Sequence, residues 1–344
     1  MAFKDIIGHE KIIGRLKKAL EKNEFASAYL FFGDEAIGKR LAAINFAKAM
    51  NCLSNTMDGC DECISCSKIK KGIHPDVRII APEAEMADTE TNAESKGTEK
   101  KSRIIKIDQI KAIQGEMAYS PFEGKKRVFI IDNADKMNTE AANSLLKTLE
   151  EPARNSIIIL VSSKPNFLLP TIVSRCQQMR FTTAPIETVK RLLIEKGINN
   201  SDADLIASAA HGRIGIALNT DASAIKEKRD EYLNLLSAAV SGNTGNIFLS
   251  VEKYAKDSNA AMEIFEWFYI WLRDVIIFKE TGETRYLTNS DRLDEIKKWA
   301  EINTTKYLDI LKSITDIQKA FSRNINKQLA MEKVMMEIKE VAQK

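Results

Sequence analysis

No stretch of this chain approaches the roughly 18 consecutive apolar residues that a membrane-spanning helix needs, so no membrane partner is expected. The first residues, Met1-Ala2-Phe3-Lys4-Asp5, lack the apolar core of a secretory signal, which leads to the expectation of a cytoplasmic protein. A strong charge of either sign is also missing. Lys and Arg number 51 against 48 Asp and Glu, a net charge of +3. That balance does not demand a nucleic-acid partner and leaves room only for a local basic face. Cysteine is scarce and odd in number, five in all, which argues against a disulfide framework. What remains is 344 residues at 44% hydrophobic and 29% charged, the profile of a soluble globular chain long enough for two or three domains.

The most informative stretch runs from Tyr29 to Arg40. Tyr29 to Phe32 reads as a buried strand, and a helix is expected from Lys39 to about Met50. Between them Gly33 and Gly38-Lys39 have the spacing Gly-x-x-x-x-Gly-Lys of a phosphate-cradling loop. The glycines let backbone N–H groups turn towards an anion at the helix N-terminus. The next residue should be Ser or Thr, whose hydroxyl would hold Mg²⁺. It is Arg40, which has five donors, no acceptor and a fixed charge, and so cannot ligate a cation. The loop has the form of an ATP site with one chemical part missing.

Further along, Arg127 to Ile131 is an apolar strand ending at Asp132. Downstream of a phosphate loop, this is the arrangement in which a carboxylate holds Mg²⁺. A hydrolysing site usually continues with Glu. Here Asn133 follows, and an amide has no basicity useful near pH 7.

Four of the cysteines, Cys52, Cys60, Cys63 and Cys66, fall within fifteen residues as C-x₇-C-x₂-C-x₂-C. Four thiolates suit the tetrahedral preference of Zn²⁺ and leave no position open for water, so a structural zinc is expected. His74, before Pro75, is not needed as a ligand and reads as a loop residue.

The remaining pattern sets the architecture. A helix is expected over 5–22, a short strand at Val77–Ile80, and a helix from about Asp108 to Met117 with Asp108 as N-cap. From Glu83 to Lys101 apolar content nearly vanishes, so a mobile surface insertion is expected over about 83–103. A helix over Thr139–Glu151 stops at Pro152, a buried strand covers Ile157–Val161, and another strand lies around Met179–Phe181. Strands alternating with helices over 1–182 imply a parallel sheet with helices on both faces. The rest is helical. Small helices are expected at 185–196, 201–210 and 215–218, then helices at 224–240, 244–257 and 260–280. A final one, from about Thr304 to Ala342, is expected to break near Asn324-Ile325-Asn326. Phe265, Trp267, Phe268, Tyr269, Trp271 and Ile276 surround one of these helices, as in the centre of a bundle.

With these motifs the chain resembles, nearly end to end, the delta-prime subunits of bacterial DNA polymerase III clamp loaders, a branch of the AAA+ ATPases. The resemblance rests on Gly33–Lys39, the four cysteines, His74-Pro75-Asp76, and Tyr119 to Gly124. It also rests on Asp132 to Met137, Asn143 to Pro152, Ser174-Arg175-Cys176, and Asn324 to Leu329 with Glu332. It implies an AAA+ core over 1–182 with a zinc module inserted at about 51–70, a helical lid over 183–222, and an all-α collar over 223–344. Arg175 would be an arginine finger reaching a neighbouring subunit's ATP, and Ser162 or Ser163 falls where a polar nucleotide sensor sits. The implied partners are ATPase subunits of the tau or gamma type and a delta-type subunit. The sliding clamp and primed DNA would be met through the complex.

The chain departs from hydrolysing relatives at three positions. Arg40 replaces the metal-binding hydroxyl, Asn133 replaces the catalytic carboxylate, and Gly215 stands where the lid arginine would be. The expectation is a non-catalytic subunit supporting ATP-dependent clamp loading, with ATP binding weak or absent at Gly33, Gly38, Lys39, Arg40 and Asp132. The alternative, an ATP-hydrolysing motor of the tau or gamma type, is opposed by all three substitutions. A lone zinc-dependent nucleic-acid module would be expected to bring a strongly basic surface, which a net charge of +3 does not provide.

Overall fold

The computed structural model describes residues 3, 6–54, 57–83, 103–153, 155–241, 251–255, 257–302, 305–321 and 325–342. The expected insertion at 83–103 lies almost wholly outside these residues, as do Asn324 and most of the helix expected at 244–257. The chain divides into two compact units, Met1–Asn219 and Thr220–Lys344.

In the first unit the elements follow as α1 (Glu10–Lys22), β1 (Ala28–Phe32), α2 (Lys39–Asn51), α3 (Ile64–Lys70), β2 (Val77–Ile80), α4 (Ile107–Met117) and β3 (Arg127–Ile131). Then come α5 (Thr139–Glu150), β4 (Ser156–Ser162), α6 (Pro170–Arg175), β5 (Gln177–Arg180), α7 (Ile186–Glu195), α8 (Asn200–Ala209) and α9 (Ile214–Leu218). The five strands form one sheet in the order β2-β3-β4-β1-β5, and every pairing is parallel. A parallel sheet covered on both faces has no solvent side, so its strands are apolar throughout rather than alternating. That is why β3 and β4 are buried along their whole length. Side chains still part by a period of two. Tyr29 and Phe31 join a core with Leu16 and Phe46. Ala28 and Leu30 face the opposite core, with Ile110 and Leu145.

Local chemistry moves several boundaries. α1 begins at Glu10, not near residue 5, because Gly8 sits at φ +83° just before it. α4 is capped one turn earlier than Asp108. The Gln109 side chain accepts from the Lys106 N–H at 3.0 Å, closing a capping box around Lys106. The strand expected around Met179–Phe181 starts two residues sooner, at Gln177.

The second unit is helical: α10 (Ala222–Ser241), a turn over 251–255, α11 (Ser258–Thr281), α12 (Leu293–Ala300), α13 (Thr305–Ala320) and α14 (Lys327–Ala342). The expected long terminal helix is two helices, α13 and α14. Phe265, Phe268, Trp271 and Leu272 of α11 are buried at the centre of this unit's own core. Trp267 stacks on Trp271 with ring centroids 5.3 Å apart.

Candidate functional site: a phosphate loop and a four-cysteine cluster

β1 delivers the chain into the loop 33–38, and α2 starts at Lys39 with Gly38 as its N-cap. Both glycines are required by the backbone. Gly38 has φ +93° and open space where a side chain would stand. Gly33 has φ +144° and passes so close to Phe181 that a Cβ would lie 2.3 Å from its carbonyl oxygen. Lys39 is buried, only 6% exposed. Its Nζ donates to the Gly33 carbonyl at 2.7 Å and to the Asp34 carbonyl. Burial lowers its pKa from the ordinary lysine value, against the opposing pull of Glu35, Asp132, Asp34 and Asp135.

Asp132 leaves β3 beside this loop, and Arg40 comes to it. Arg40 Nη1 lies 3.4 Å from Asp132 Oδ2. The residue at the metal-ligand position and the carboxylate at the strand end thus face each other as an ion pair. Asn133 takes a left-handed backbone, φ 51° and ψ 47°, with its N–H donating to Asp132 Oδ1 at 3.1 Å. Asn tolerates that conformation better than most residues. Asp135 organises the next strand end. Ser162 Oγ donates to Asp135 Oδ1 at 2.6 Å, and the Ser163 N–H donates to the same oxygen at 3.2 Å.

Two contacts at the loop had no sequence signal strong enough to find them. His9 Nε2 lies 2.8 Å from the Ile37 carbonyl oxygen, and burial lowers the His9 pKa. From α9, the Gly215 N–H donates to the Ala36 carbonyl at 2.7 Å. A Cβ on Gly215 would fall 2.8 Å from that oxygen, so only glycine permits the approach. Around these groups lies a cleft of about 900 Å³, bounded by Ile6, Ile37, Arg40, Ile44, Leu192 and Leu218 among others.

Arg175 is not brought into this cleft. It ends α6 on the surface, where Nη2 donates to Glu150 Oε1 at 2.8 Å and Nη1 to the Thr171 carbonyl at 3.2 Å. Its side chain remains 37% exposed. The neighbouring Cys176 is buried, which pushes its thiol up to about 12 and leaves it a packing residue.

The other four cysteines do converge. The sulfurs of Cys52, Cys60, Cys63 and Cys66 all lie within 4.8 Å of one another. Cys52 caps the C-terminus of α2, and Cys63 caps the N-terminus of α3, where it accepts from the Cys66 N–H at 3.4 Å. A tetrahedral ion with ~2.3 Å metal–sulfur bonds needs sulfurs about 3.8 Å apart, and Cys60 and Cys66 stand at 4.0 Å. The donor set therefore fits one metal ion. N–H donors of the turn, Cys63 first, lower the Cys60 thiol to about 6, whereas burial raises that of Cys66.

His74 is more than a loop residue. It is 3% exposed, its Nδ1 accepts the Asp76 N–H at 3.1 Å, and its Nε2 lies 3.2 Å from Ser65 Oγ. It ties α3 to Asp76. That carboxylate in turn accepts the N–H groups of Phe122, Glu123 and Gly124 at 2.7–2.8 Å and pairs with Arg127 at 3.1 Å.

Comparison with known proteins agrees with this arrangement. A family model described as "DNA polymerase III, delta subunit" matches residues 8–185, and its C-terminal counterpart matches 224–340. "DNA polymerase III subunit delta'" of Bacillus subtilis is 27% identical over 96% of both chains. The protein of the same description from Pseudomonas aeruginosa is 26% identical over 78% of this chain and 77% of its own. "DNA polymerase III subunit tau" of Bacillus subtilis is 28% identical over 85% of this chain but only 53% of its own length. The chain belongs to the DNA polymerase III delta subunit family, with delta-prime and tau subunits among its relatives.

Proposed function

We propose that this chain is a non-hydrolysing subunit of the DNA polymerase III clamp loader. It supports ATP-dependent loading of the sliding clamp onto primed DNA and lends Arg175 to the ATP site of a neighbouring subunit of the tau or gamma type. In this reading residues 1–182 are an AAA+ core, 183–222 a lid and 223–344 a collar that joins other subunits, a delta-type subunit among them, in the cytoplasm. The cysteine cluster holds a structural zinc. The observation that carries the reading is the Arg40–Asp132 ion pair at 3.4 Å. It sets a fixed cation, which cannot be a metal ligand, against the carboxylate that a hydrolysing site would give to Mg²⁺. Asn133 offers no general base to activate water.

The exposure of Arg175 supports the second half. Its guanidinium is held only by Glu150, itself half exposed, and by one carbonyl. An exposed ion pair of this kind is worth little, roughly 0–1 kcal/mol, so exchanging it for a phosphoryl group costs little. In other systems such an arginine raises the rate about 10³–10⁵-fold. The test is steady-state ATPase of the reconstituted assembly with primed DNA. Arg175→Ala is expected to suppress turnover strongly with the assembly intact, while the isolated wild-type chain turns over no ATP. Undiminished activity in the mutant assembly would remove the finger, and turnover by the lone chain would remove the non-hydrolysing role.

A further inference from the structure

An Mg²⁺-bound triphosphate does not fit the loop as it is built. Position 40 offers no hydroxyl, and Asp132 is engaged by Arg40. Yet the cleft keeps three properties of a ligand site. Its volume, about 900 Å³, is within the range of pockets that enclose small molecules, with Ile6, Ile37, Leu41, Ile44, Leu192 and Leu218 supplying apolar walls. At its floor the N-terminus of α2 opens onto empty space at Gly38, where a Cβ would meet nothing within 4 Å. Beside it is Lys39, a buried cation whose hydrogen bonds go to two neutral carbonyls of its own loop, Gly33 and Asp34. Among the described residues no carboxylate forms an ion pair with it.

We propose that this cleft binds a nucleoside diphosphate without a metal ion, the Arg40 guanidinium standing where a divalent cation stands in a hydrolysing loop. The proposal rests on the reading of the site as non-hydrolysing and adds its ligand. Charge selects the diphosphate. The carboxylates of Asp34, Glu35, Asp132 and Asp135 all act on Lys39, so the site tolerates only a limited further negative charge. A metal-bound triphosphate brings in a net charge of about −2, from about −4 on the phosphates and +2 on the ion. A bare diphosphate at about −3, paired with the single positive charge of Arg40, gives the same sum. A bare triphosphate exceeds it by one. The guanidinium also presents a planar fork that suits phosphate oxygens. Excess Mg²⁺ opposes binding twice, by chelating the diphosphate and by competing with Arg40 for Asp132.

The experiment is calorimetric titration of ADP into the full-length chain in EDTA, repeated in excess Mg²⁺, with ATP as the comparison ligand. Expected results are saturable ADP binding in EDTA, weaker binding of ATP, and several-fold loss of ADP affinity when Mg²⁺ is added. Arg40→Ser should lower ADP affinity in EDTA by about tenfold or more and reverse the sign of the Mg²⁺ effect, since it restores a hydroxyl ligand. Arg40→Lys, which keeps a cation, should retain binding in EDTA. Two results would overturn the proposal: no ADP binding in EDTA at millimolar concentration, or wild-type binding that requires Mg²⁺. Neither would touch the non-hydrolysing role, which falls only if the isolated chain turns over ATP.

Discussion

Asp76 shows how much structure one side chain can hold. It is fully buried, and a buried carboxylate is tolerable only when its charge is paired and its lone pairs are filled. Burial favours the neutral acid, but the N–H groups of Phe122, Glu123 and Gly124, together with Arg127, outweigh it and hold the pKa below the ordinary aspartate value. A depressed carboxylate contributes stability that is complete above its unfolded pKa, about 3.9. That stability is lost as pH falls through the lower folded value. Asp76→Asn leaves Arg127 buried without its counter-charge, and a loss of about 3–5 kcal/mol is expected. Urea unfolding monitored on the first unit at pH 7 measures it. The variant's deficit should narrow at pH values below 3.9, where the wild-type residue also surrenders its charge.

At the scale of elements, the phosphate loop and its flanking strand and helix were legible in the sequence. An apolar run, two glycines and a lysine at fixed spacing admit few other structures, and Ala28–Phe32 and Lys39–Asn51 form as the pattern requires. The cysteine cluster was legible for a similar reason, since the spacing of four thiols limits how they can meet. What could not be read were contacts between residues far apart in the chain. Arg40 was visible as the loss of a ligand, but not as the partner of Asp132, because the ladder joining β3 to its neighbours sets that distance. His74 looked idle because nothing local marks it for burial against Ser65. Gly215 was legible only as a missing arginine, whereas its N–H binds the Ala36 carbonyl. Gly215→Ala tests that contact. A methyl group 2.8 Å from a backbone oxygen must push α9 away, at a cost on the order of 1–3 kcal/mol. Hydrogen exchange should show lost amide protection over 214–218, with β1 and β4 unchanged.

The whole chain comprises two units, each with a core of its own. Separate cores allow separate transitions, and departure from a single two-state melt is expected of such chains. The cysteine cluster belongs to the first unit alone. Because a metal bound only by the folded form adds its binding free energy to stability, chelation should move one calorimetric transition downwards and leave the other in place. Elemental analysis of protein purified without chelator is expected to give one zinc per chain. Absence of zinc, or a chelator shift of both transitions alike, would count against a structural metal confined to this unit.

α2 is bounded at one end by Gly38 and at the other by Cys52. Its 13 residues make a rod of about 20 Å. One tip presents amides to a phosphate, and the other is anchored among thiols. Whatever grips the sulfurs therefore also steadies the axis along which the phosphate-facing tip is aimed, so loosening the anchor would blunt the aim at the far end without altering a single residue there.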